Sequence, residues 1–85
     1  MQAQRVQVSI HNGSARTVCY LRVSPVSDPN WGPDQLGRHV LNPGDSFVAA
    51  LPMGGWDFRA EDCQGAEVNV LRNFTVADNV VLEIN

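Results

Sequence analysis

Along most of this chain apolar residues recur at every second position, the period of a half-buried strand. Arg5 to His11 alternates cleanly, with Val6, Val8 and Ile10 on one face and Gln7 and Ser9 on the other. Asn12-Gly13-Ser14 follows and predicts a hairpin turn, because Asn-Gly supplies positive φ angles. The pattern restarts at Arg16 and continues to Ser24 with Cys19, Leu21 and Val23 on one face and Val18 and Tyr20 on the other. A strand apolar on both faces is expected at the centre of a sheet. Pro25, which has no N–H for a ladder, ends it.

The stretch from Val26 to Leu41 breaks the alternation, and it predicts an ordered loop. Gly32-Pro33-Asp34-Gln35-Leu36-Gly37 places proline at a first helical position and glycine just past the end, which suits a single turn of helix. Trp31 and Leu36 would fold over an open end of the core as a plug. A loop this long in a compact domain is usually functional or disordered, and its tryptophan favours order.

Alternation returns after Asn42-Pro43-Gly44-Asp45, a turn compatible with type II. Ser46 to Leu51 places Phe47, Ala49 and Leu51 on one side, and Pro52-Met53-Gly54-Gly55 connects onward. Trp56, Phe58 and Ala60 then point inward while Asp57, Arg59 and Glu61 point outward. Asp62-Cys63-Gln64-Gly65 closes a hairpin, Ala66 to Leu71 returns, and Arg72 to Val76 continues with a bend. After Ala77-Asp78-Asn79, Val80, Leu82 and Ile84 make a last inward stripe. Six or seven short strands with turn residues between them predict an all-β domain spanning 1–85, a small antiparallel β-sandwich with one long ordered loop. An open β-barrel is the alternative.

Composition narrows the functions. Eighty-five residues make one small core, and an apolar fraction of 44% is that of an ordinary globular chain. The net charge of −3 argues against nucleic-acid binding, which needs clustered Lys and Arg. Absence of lysine excludes Schiff-base chemistry, a P-loop lysine and a lysine-rich membrane patch. No apolar run is long enough to insert across a bilayer as a helix. Localisation depends on the start of the chain: cytoplasmic if Met1 is native, periplasmic or secreted if the sequence is a mature or excised domain.

Tyr20-Leu-Arg-Val-Ser-Pro25, Trp31-Gly-Pro-Asp-Gln-Leu-Gly37, Leu41-Asn-Pro-Gly-Asp-Ser-Phe47 and Gly55-Trp-Asp-Phe-Arg-Ala-Glu-Asp-Cys-Gln-Gly65 together carry a resemblance. The pattern is similar to that of uncharacterised small β-sandwich domains of bacteria and covers roughly residues 10 to 84. The resemblance implies a sandwich and a bacterial source. It implies no activity.

Candidate chemistry is sparse. Asp28, Asn30 and Asp34 gather hard oxygen ligands that calcium favours. However, Pro33 interrupts an EF-hand spacing and His39 stands where its last Glu belongs. Turn and helix-start chemistry accounts for the same residues more simply. Cys19 and Cys63 could form a disulfide, or Cys63 could centre a thiol enzyme or redox protein; no Cys/His spacing suits zinc. His11 and His39 are the only imidazoles, and no nucleophile elbow accompanies them. Asn12-Gly-Ser14 and Asn73-Phe-Thr75 match the N-x-S/T tripeptide, which also arises often by chance. Trp31, Asp34 and His39 are the candidate binding residues of the long loop. The expectation is a non-catalytic binding module that engages a protein partner or a second copy of itself, without a cofactor. A calcium-dependent binding domain is the alternative.

Overall fold

The computed structural model describes residues 5–85; Met1, on which the localisation expectation turned, lies outside them. Six strands form two three-stranded sheets: β1 (Arg5–Asn12), β2 (Tyr20–Pro25), β3 (Ser46–Pro52), β4 (Gly54–Glu61), β5 (Glu67–Val76) and β6 (Val80–Ile84). One sheet has the order β3-β1-β6 and the other β2-β4-β5. Their facing sides bury Val8, Ile10, Leu82 and Ile84 from the first sheet against Leu21, Val23, Phe58, Ala60 and Val76 from the second. The protein is an all-β sandwich without a closed barrel and, among the described residues, without a helix. Every strand but one pair runs antiparallel to its neighbour; β6 lies parallel to β1, pairing Ile10 with Leu82.

Asn12-Gly13 does not make the expected hairpin. β1 and β2 belong to different sheets, and neither Asn12 nor Gly13 has positive φ. The physical reason is the Asn12 side chain. Its amide donates to the carbonyls of Arg16 and Leu41, and its oxygen accepts from the N–H and hydroxyl of Ser14. Buried and fully bonded, Asn12 fixes a crossover between layers.

The second strand begins at Tyr20, later than expected at Arg16, and it is an edge of its sheet, not the centre. Of its expected second apolar face, Val18 lies before the strand, bridged to Leu41 and buried in the core, and Tyr20 is half-buried. The long loop bonds along the free edge of β2. The helical turn expected over 32–37 is also absent. Instead the Asp34 carboxylate accepts the N–H groups of Leu21, Leu36 and Gly37, and these bonds hold the loop to β2 in a non-helical turn. Backbone bonds from Gln35 N–H to the Leu21 carbonyl, and in both directions between Val18 and Leu41, continue the seal. Leu36 and Leu41 enter the core from this loop.

Two turns follow their sequence closely. Gly44 has φ 93° and Asp45 N–H bonds to the Asn42 carbonyl, as a type II turn requires. The Asp62–Gly65 turn joins β4 to β5, with Gly65 N–H bonded to the Asp62 carbonyl.

Candidate functional site

Three regions carry side chains that could recognise something: the bare edge of β5 with the cleft beside it, the charged outer face of the sheet β2-β4-β5, and the outer face of β3-β1-β6. Each follows from strand order and alternation.

Along β5, Asn69 and Leu71 face inward opposite Ala60 and Phe58. Between β5 and β6 they line a small open cleft with free space of about 20 Å³, the size of a single water. Its floor is apolar, from Ile10, Leu21, Phe58 and Ala60, and Leu71 stands partly exposed on its rim. Asn69 donates across the mouth to the Asn85 carbonyl at 3.4 Å. β5 pairs only with β4 and β6 only with β1, so each has one side without a partner strand among the described residues. The pairing of β5 with β4 shifts register twice, between Asn69 and Glu67 and between Phe74 and Leu71, and at the second shift Asn73 has φ 58°, a conformation that interrupts a flat ladder.

On the outer face of the same sheet, alternation correctly turns Asp57 and Glu61 away from the core, yet both are buried. Arg22 and Arg59 lie against Glu61, and Asn73 and Arg72 flank Asp57. Arg22 and Arg59 sit directly opposite each other in register, a repulsive placement that Glu61 resolves by accepting Nε–H from both, at 3.1 and 2.7 Å. Asp57 accepts the Asn73 N–H through Oδ1 at 2.9 Å, while Oδ2 lies 3.9 Å from the Arg72 guanidinium. Arg72 in turn stacks on Trp31, 4.9 Å from the ring centroid. Gly32 lets the loop reach this position: a Cβ there would stand 2.4 Å from the Val23 carbonyl oxygen, inside contact distance.

The outer face of β3-β1-β6 aligns Val48, Ser9 and Val81 in one row and Ser46, His11 and Glu83 in the next. His11 Nδ1 is 3.0 Å from Ser46 Oγ, and Nε2 is 3.9 Å from Glu83 Oε1. The residue types are those of a hydrolytic triad. The second distance is too long for the carboxylate to orient the ring by a hydrogen bond.

The residues singled out in the sequence fall in different places. Asp28 Oδ1 accepts the Asn30 N–H in a tight turn, and Asp34 is engaged with three backbone amides on the edge of β2. Among the described residues no three His, Cys, Asp or Glu side chains are grouped to hold a metal ion. His39 is exposed in the loop, and Trp31 is half-buried against Arg72. Cys19 and Cys63 are joined in a disulfide with their Cα atoms 4.9 Å apart, so neither sulfur is a thiol in this state. The Asn12 tripeptide is inaccessible because its asparagine is buried, whereas Asn73 is exposed.

Beside the disulfide, Asp62 Oδ1 accepts the N–H groups of Ala66 and Gln64, each at 2.9 Å, and Oδ2 bonds to Arg16. The Ala66 N–H, then the Arg16 hydrogen bond, hold this carboxyl below the usual aspartate range. No family model, characterised protein or solved structure matches the chain.

Proposed function

We propose that this protein is a non-catalytic interaction module that accepts an extended segment of a partner protein along the β5 edge. One observation carries this: β5 has no partner strand on one side and presents Leu71 at the rim of an apolar cleft, while the other edge of its sheet is bonded to its own loop. An added strand would gain main-chain hydrogen bonds from β5, and its alternate side chains would pack on Leu71 at the rim of the cleft. In the Ser46-His11-Glu83 row the carboxylate stands 3.9 Å from the ring, without an orienting hydrogen bond, which supports binding over catalysis.

The test is selection of displayed peptides of about ten residues against the wild-type protein, followed by binding to Leu71→Lys. Segments with alternating apolar residues should be enriched, should shift the amide resonances of β5, and should lose binding to Leu71→Lys. Enriched segments that bind Leu71→Lys equally well would place recognition elsewhere. Saturation of the same resonances by raising protein concentration alone would identify the occupant as a second copy.

A further inference from the structure

Asp57 is a buried carboxylate with one oxygen left over. Its Oδ1 holds the Asn73 N–H at 2.9 Å, but among the described residues Oδ2 accepts no hydrogen bond, its nearest cation being Arg72 Nη1 at 3.9 Å. Opposite Asp57 in register is Ser24, also buried, whose hydroxyl likewise takes part in no hydrogen bond among the described residues. The Arg72 guanidinium, 3.9 Å from that Oδ2, also lies against the Trp31 ring, so the carboxylate and the indole flank the same cation. A carboxylate oxygen, a hydroxyl and an aromatic face are the groups that recognise a planar cation.

Arg72 fills this site poorly. Its side chain remains 61% exposed while the Asp57 side chain is 11% exposed, and the 3.9 Å separation is outside hydrogen-bond range. Arg72 reaches the carboxylate from its own place on β5, next to Asn73, whose N–H occupies the other carboxylate oxygen. An arginine arriving from outside has no such constraint, and it can approach Oδ2 and Ser24 while stacking on the indole.

We infer that Trp31, Asp57 and Ser24 form a site for a guanidinium group, occupied in the free protein by the chain's own Arg72 and taken over by an arginine side chain of a partner protein. The site is on the face of the sheet opposite the apolar cleft, so it does not depend on strand acceptance at β5. Arg72 acts as an internal competitor, and the affinity for an external guanidinium is lowered by the fraction of time Arg72 is in place.

The experiment follows the indole N–H resonance of Trp31 while N-acetyl-arginine amide is titrated into the wild-type protein and into Arg72→Ala. In Arg72→Ala the resonance should move saturably, with an affinity about tenfold higher than in wild type, the scale of one desolvated cation–aromatic contact. N-acetyl-glutamine amide should leave the resonance in place, and adding Asp57→Asn to Arg72→Ala should abolish the response while the Trp56 indole resonance keeps its position. Equal shifts with the arginine and glutamine probes, or equal arginine affinities in wild type and Arg72→Ala, would overturn the site and leave Arg72 a structural clasp. The two probes decide the matter on Arg72→Ala even where the double variant does not fold.

Discussion

The two edges of the sheet β2-β4-β5 face the same problem and meet it differently. At β2 the chain covers its own edge: Asp34 and Gln35 bond to Leu21, Leu41 bonds to Val18, and Leu36 plugs the core. At β5 the ladder stops, Asn73 bends the strand, and the cleft behind it stays open. Unpaired strand edges attract other chains, and proteins usually cover or distort them. Here one edge is covered and the other only distorted. The covered edge ties the loop into the core, whereas the bare edge is the one we propose takes a partner's strand.

The sharpest test of this contrast compares one leucine from each edge. Leu36→Ala removes a side chain that is 3% exposed and should cost roughly 2–5 kcal/mol in denaturant unfolding. Leu71→Ala, at 37% exposed, should cost under about 1 kcal/mol. Comparable losses would erase the distinction between the edges.

The disulfide comes next. It joins the segment just before β2 to the β4–β5 turn across a separation of 44 residues. Replacing Cys19 and Cys63 together by serine should lower stability by about 2–4 kcal/mol, measured against oxidised wild type. Hydrogen exchange should then quicken first at Val18 and Leu21. Faster exchange along β5 instead would mean that the bridge serves the bare edge.

Asp34→Ala leaves three N–H groups without their acceptor and should cost on the order of 1–3 kcal/mol, with the loop loosening before the sheet. The same variant checks calcium binding in metal-stripped protein. A calcium-induced rise in melting temperature that disappears with Asp34 would make that residue a ligand as well as a fastener.

The smallest effect is at the β4–β5 turn. The Asp62 carboxyl is held below its unfolded value, so its contribution is complete above the unfolded pKa, about 4, and is lost as pH falls through the folded one. Asp62→Asn should therefore melt earlier than wild type near neutral pH, and the gap should close on acidification below about pH 4. A gap that persists in acid would assign the effect to geometry and not to charge.

Much of this was legible in the chain because it is local. Alternation from Val6 to Ile10 and from Trp56 to Ala60 marks strand and inner face, and Asn42-Pro43-Gly44-Asp45 specifies its turn through the φ of one glycine. Where local chemistry had two solutions, the more familiar one did not always hold. Asn12-Gly13 resembles a hairpin, but a buried Asn12 bonded to Leu41, 29 residues away, outweighs the local turn preference. Asp34 resembles the start of a helix, but its acceptor oxygens also serve Leu21, a strand away.

The sequence by itself determined an all-β chain, its turns and most of its core, because those depend on neighbours two to four residues apart. Only the tertiary structure decided that β2 is an edge, that β6 runs parallel to β1, and that Asp57 and Glu61 are buried while facing away from the core. The physical reason is common to all three. Period-two alternation says which side chains share a face, but it is silent on which strand lies alongside and on what the long loop covers.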